Sequence, residues 1–338
     1  MPRRNLARRD LQLCLSGPKV WRPQHGWALR RGRVLKWRLI GAFAIILPLC
    51  GLSWLDFYYN FGRPGIWLFP LVLLLTALSA EEVLDLLRAK QLHPSGWSCH
   101  VGTFLVVIAA GLPIWWPFSH VPDQADQAQW TLFALVLGAI LAIVGEMRRY
   151  EKPGHSMIHL GLTIFAIFYV GGLLSFFPRL RVVMQGTPDA NAYGMLALLS
   201  MIVVVKISDV GAYFIGSNFG RTKLVPRLSP GKTLEGTLGG LAASCLGSYV
   251  MFQWVGPWML GKPVESIPLG WLLFALLVSP AGMVGDLAES MFKRDMETKD
   301  SSTWLIGLGG ILDVLDSMLL GAPVALMCWE LGIVGPGR

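Results

Sequence analysis

Apolar residues in this chain run in long unbroken stretches; they do not alternate with polar ones at the period of a strand or a soluble helix. Nine stretches stand out, near 39–55, 65–80, 100–118, 129–146, 157–177, 194–216, 236–256, 268–285 and 311–333. About 18 apolar residues with few charges are enough to cross a bilayer as a helix. The pattern therefore predicts an all-α, polytopic membrane protein with about nine transmembrane helices. After the second stretch, Glu81-Glu82-Val83-Leu84-Asp85-Leu86-Leu87-Arg88 mixes acids with leucines and predicts an amphipathic extension lying at the interface. Residues 1–38 read as a basic tail, disordered or interfacial, and 39–338 as one integral membrane domain without internal repeats.

Composition agrees with this division. Of the 338 residues, 54% are hydrophobic and 15% charged, where a soluble domain carries about 25% charged residues. The net charge of +8 is concentrated, because the first 38 residues hold 11 Lys or Arg against a single acid, Asp10. A basic tail abutting an apolar stretch is a topology signal that also attracts anionic lipid, and it argues against a nucleic-acid partner. The charged region is too long for a signal peptide. Cys14, Cys50, Cys99, Cys245 and Cys328 are far apart, so no CxxC redox or metal motif is present. With the N-terminus in the cytoplasm, 23 basic residues fall inside and five outside. This asymmetry predicts N-in, C-out and puts the polar connections 217–235 and 286–310 on the cytoplasmic side.

The chemistry lies in the half spanning about 194–333. The sixth stretch contains Lys206, Ser208, Asp209 and Tyr213, the eighth ends in Asp286 and Glu289, and the ninth opens with Asp313 and Asp316. A charge at the bilayer centre costs about 2.5–3.5 kcal/mol on insertion scales, so these groups must face one another, water or a ligand. A structural ion pair between Lys206 and Asp209, one turn apart, accounts for one pair. It leaves an excess of acids, and excess carboxylates in a polar cavity favour a divalent cation. Asp313 and Asp316 share one helix face, a spacing suited to Mg²⁺ bound to substrate phosphates.

The connection 217–235 mixes glycines and hydroxyls with Arg221, Lys223, Arg227 and Lys232. Ser229-Pro230-Gly231-Lys232-Thr233 opens the next helix, and free N–H groups beside a lysine predict an anion site there. It is not a Walker A loop, because that motif's first glycine is missing. Positive-inside bias alone accounts equally well for Arg221 and Arg227. The later connection carries Lys293-Arg294 and Lys299-Asp300 and then a glycine-rich turn at 307–310, a pattern that fits phosphate plus metal. His155 and His159 stand four apart without an intervening acid and read as interfacial.

Ser290-x-x-Lys293-Arg294-x4-Lys299-Asp300, followed by Gly309-Gly310-x-x-Asp313-x-x-Asp316, resembles the signature of the phosphatidate cytidylyltransferases. Lys206-x-Ser208-Asp209-x-x-Ala212-Tyr213 and Ser229-Pro230-x-Lys232-Thr233-x-Glu235-Gly236 are also similar to that family. Ile306, Leu308 and Val314 stand where the family usually has proline, histidine and arginine. The resemblance implies transfer of the cytidylyl group of CTP to phosphatidate, giving CDP-diacylglycerol and pyrophosphate in phospholipid biosynthesis. It implies Mg²⁺, with room for a second cation, held by Asp286, Asp313 and Asp316 together with Asp209. It also implies phosphate-binding or catalytic roles for Lys232, Lys293, Arg294, Lys299 and Asp300, and substrate contacts from Ser208, Tyr213, Lys223, Ser229 and Thr233. A bacterial-type inner membrane, an active site facing the cytoplasm and a homodimer are consistent with it. The three departures keep open a CTP-dependent enzyme acting on another lipid acceptor, a polyprenol kinase among them, and an inactive homologue. A transporter using Lys206 and Asp209 as a coupling site is the alternative of a different class.

Overall fold

In the computed structural model, residues 46–115, 124–151, 153–297 and 310–337 are described. The basic tail 1–38 lies outside them. The elements are α1 (Ile46–Tyr58), α2 (Leu68–Ala89), α3 (Gly96–Ala110), α4 (Gln124–Arg148), α5 (Ser156–Ala166), α6 (Phe176–Arg181), α7 (Ala190–Phe219), α8 (Leu234–Val250), α9 (Gly270–Asp295) and α10 (Ile311–Glu330). A π-helical turn, Ile167–Gly172, carries α5 towards α6, and a second, Met251–Val255, continues α8.

Among the described residues, six helices are long and apolar enough to cross a membrane: Gln127–Arg148, Ser156–Arg181, Ala190–Phe219, Leu234–Leu260, Gly270–Asp295 and Ile311–Glu330. They coincide with the fourth to ninth predicted stretches. The first three stretches give elements of another kind. Residues 39–45 of the first lie outside the described residues, and α1 and α3 are short apolar helices. Helix α2 runs straight through the expected interfacial extension as one helix of 22 residues. It buries Glu82 among its leucines.

The connection after α7 adds a small antiparallel hairpin, β1 (Lys223–Val225) and β2 (Ser229–Thr233), with Lys223 opposite Thr233. Pro226 and Pro230 keep this segment from extending either helix. The carboxylate of Glu235 closes its base by accepting from Arg221 N (3.0 Å) and Thr222 N (3.1 Å).

Close helix crossings align the chemistry. Small residues let membrane helices approach until backbones touch. A Cβ on Gly240 of α8 would lie 2.8 Å from Ser208 O of α7. A Cβ on Gly285 of α9 would lie 2.3 Å from Asp316 O of α10. These two contacts set Ser208 against α8, and Asp316 against α9 one residue before Asp286. At the other end of the bundle, Trp329, Phe252, Phe274 and Tyr193 fill the core.

Candidate functional site

Four segments bring charge to one end of the bundle: the C-terminal part of α7, the hairpin, the C-terminal part of α9 and the first turns of α10. Three lysines form four lysine–carboxylate pairs there. Lys206 Nζ lies 3.4 Å from Asp209 Oδ2 and donates to Val314 O (2.8 Å) and Ser317 Oγ (3.1 Å). Ser317 Oγ donates to Asp209 Oδ2 at 3.0 Å. Lys232, at the end of the hairpin, places Nζ 2.7 Å from Asp286 Oδ2 on α9. Lys293 Nζ reaches Glu289 Oε2 at 3.0 Å and also pairs with Asp313 Oδ1. Because each pair except Lys206–Asp209 and Glu289–Lys293 joins different segments, the site depends on the tertiary fold.

Asp316 is buried beside these pairs, within electrostatic reach of Asp209, Asp286 and Lys206. Asp313 has both oxygens engaged, one by Lys293 and the other by Gly310 N at 2.7 Å, which makes it part of the N-terminal cap of α10. Ser208 is buried and shares a hydrogen bond of 2.8 Å with Ser279 Oγ of α9. Arg294 Nε comes to 3.5 Å from Leu228 O, a weak contact to the hairpin. Lys223 is exposed, Ser229 is half-buried on the hairpin, and Tyr213 projects outward from α7. Lys299 and Asp300 lie outside the described residues, as do Ile306 and Leu308. Val314 is described. Its side chain packs against the apolar core, and its carbonyl receives Lys206.

The start of α8 differs from the expected anion site. Thr233 is its N-cap and accepts from Gly236 N at 3.1 Å, while Leu234 N donates to Thr222 O at 2.9 Å. These first-turn N–H groups are thus taken within the fold.

Among the described residues, no three His, Cys, Asp or Glu side chains converge as a ligand set. The donor chemistry still fits Mg²⁺. This ion prefers oxygen, keeps several waters and is usually held by one or two carboxylates together with substrate phosphates. Asp286 and Asp316, brought together by the Gly285 contact, supply such carboxylates.

Two residues of the site, Ser317 and Glu82, escaped the sequence pattern, and Glu289 stood among the acids at the end of the eighth stretch without an assigned role. Glu289 is buried and holds Lys293. Ser317 links Lys206 to Asp209. Glu82, from α2, accepts from Ile311 N and Leu312 N, both at 2.8 Å. Ser317 sits beside the flagged Asp316. No local signal marks Glu82.

The profile of the Cytidylyltransferase family matches residues 38–331. A phosphatidate cytidylyltransferase of Chlamydia pneumoniae is 32% identical over 74% of this chain and 78% of its own length. One of Bacillus subtilis is 32% identical over 75% of this chain and 86% of its own. One of Pseudomonas aeruginosa is 42% identical over a shorter region, 49% of this chain and 58% of its own. Each matched share is large enough to include segments beyond the charged end of the bundle.

Proposed function

This chain belongs to the cytidylyltransferase family, and from that premise we propose that it transfers the cytidylyl group of CTP to phosphatidate, yielding CDP-diacylglycerol and pyrophosphate. It is an integral membrane protein, and the lipid substrate enters from the bilayer. The observation that carries the reading is the meeting of Lys232 with Asp286 and of Lys293 with Asp313 at one end of the bundle. Cations and carboxylates from four segments converge where a lipid phosphate and a nucleotide triphosphate must be held together.

In the reaction a phosphate oxygen of phosphatidate bonds to the α-phosphorus of CTP as the bond to the β-phosphate oxygen breaks, and pyrophosphate leaves with that electron pair. The nucleophile is already anionic, so no strong general base is needed. The barrier comes mainly from bringing two polyanions together, and it falls through positioning and fixed positive charge. Lys232, Lys293 and Arg294 bind phosphate oxygens, and the family resemblance implies the same role for Lys299. For Asp300 the resemblance implies a role in orienting a lysine. Asp286 and Asp316 would hold Mg²⁺, with Asp209 near by; the ion would supply Lewis-acid neutralisation of the phosphates. Asp313 ties Lys293 to the first turn of α10, and Lys206 holds Asp209 and Ser317 in place. Ser208 and Thr233 act by fixing α7 against α9 and by starting α8, while Ser229, Lys223 and Tyr213 are left to contact substrate at the open edge. The charge bias of the connections favours a cytoplasm-facing site in a bacterial inner membrane, where CTP is supplied.

Purified protein in detergent micelles containing phosphatidate should release pyrophosphate from CTP in a Mg²⁺-dependent way. The release should cease when phosphatidate is omitted. Release that ignores phosphatidate, or none at all, would count against the assignment.

A further inference from the structure

Helix α10 carries Asp313 and Asp316, and its first turn is held from outside. The first N–H groups of any helix lack partners within it. Here Gly310 N is taken by Asp313 of the same turn, and Ile311 N and Leu312 N by the two oxygens of Glu82. Glu82 is only 4% exposed and lies on α2, 229 residues before its first partner. A buried carboxylate is costly unless hydrogen-bonded, and its charge is favourable at a helix N-terminus. Lys90, the residue just past the end of α2, also reaches the other side of the connection between α9 and α10, through a 2.6 Å ion pair with Glu297. That pair is largely solvent-exposed, a setting in which ion pairs contribute little. The buried contact of Glu82 is therefore the stronger anchor.

We infer that Glu82 is a positioning residue for the transfer step: by clamping the first turn of α10 it fixes where Asp313 holds Lys293 and where Asp316 stands relative to Asp286. The inference rests on the cytidylyltransfer reading above. It gives the amino-terminal half a task in the chemistry, because α2 reaches the turn from which Asp313 and Asp316 project. A glutamine at this position keeps one acceptor but turns an NH₂ towards the second N–H; an alanine leaves both N–H groups bare.

The test compares E82Q, E82A and a K90A control with the wild-type full chain in detergent. Rates are referred to monodisperse, folded protein. The expected result is a kcat about tenfold or more lower in E82A and intermediate in E82Q, with KM for CTP and phosphatidate nearly unchanged. K90A should match the wild type. Amide exchange at 311–312 should also quicken in both Glu82 variants. A Glu82 that only stabilised the fold would lower the yield and the melting temperature and leave kcat per folded molecule intact. Unchanged kcat in E82A, or in E82Q should E82A fail to fold, would overturn the inference. Unchanged exchange at 311–312 would overturn it too. If exchange quickens as expected but the wild type makes no CDP-diacylglycerol, the assigned reaction fails, and the role of Glu82 in transfer fails with it, though the clamp itself stands.

Discussion

Two clusters of charge, one at the start of α7 and one past its middle, are built on different principles. At its start, Arg181 donates to Asp56 Oδ2 (2.6 Å), Asp56 O (3.3 Å), Asn191 Oδ1 (2.6 Å) and Asn191 O (3.2 Å). The Asp56 carboxylate also accepts from Gly65 N and Trp67 N. One acid meets one base, and their side chains are 0% and 1% exposed. Further along α7, by about 22 Å at 1.5 Å per residue, lies the cluster around Lys206. There several acids crowd a few lysines, and the sides of Lys232 and Asp286 remain partly open at 23% and 36%. The first cluster is closed in charge and hydrogen bonding, so it can hold helices together but has nothing left to offer a ligand. The second has unspent charge and access, as a site for polyanions requires.

The comparison can be broken at either end. Arg181→Met should have the largest effect, because it strands the buried Asp56 and removing one partner of a buried pair costs about 3–5 kcal/mol. Unfolding in detergent should report that loss, while kcat per folded molecule stays near the wild-type value. A fall in kcat without a loss of stability would mean that this cluster also takes part in the chemistry. Asp286→Asn should do the reverse. It should slow transfer on the order of 10²–10³-fold, the scale of losing one transition-state electrostatic contact, with the melting temperature little changed. Lys232→Ala should have the smallest effect of the three. A hydrogen bond to a charged group is worth about 1.5–3 kcal/mol, so kcat/KM for CTP should fall roughly tenfold to a hundredfold. An unchanged kcat/KM for CTP would remove Lys232 from the nucleotide site and sharpen the map towards Lys293 and Arg294.

The long apolar runs made α4 to α10 legible, since a membrane helix must satisfy its backbone internally and announces itself by length and hydropathy. Helix α2 was harder to read, because Glu81, Glu82, Asp85 and Arg88 resemble a surface segment. In the fold Glu82 is instead spent on α10, while Arg88 pairs with Glu81 and Asp85 along its own helix. Asp286 and Asp313 could be marked as acids at the ends of apolar stretches, and Lys232 and Lys293 as cations in the polar connections beside them. Their pairing could not be read, because it depends on where α9 crosses the hairpin and α10. Thr233 and Asp313 show a further limit. Both belong to motifs that suggest ligand contacts, and the fold uses both as helix caps.

The most direct test of the central claim follows the label from CTP labelled in either the α- or the γ-phosphate into lipid extracts made with wild-type protein and with Asp286→Asn. The account predicts that only the α-label enters lipid, that it does so only with phosphatidate present, and that Asp286→Asn nearly abolishes it. Entry of the γ-label would mean phosphoryl transfer by a kinase, and full incorporation of the α-label by Asp286→Asn would mean that the charged end of α7, α9 and α10 is not where the reaction takes place.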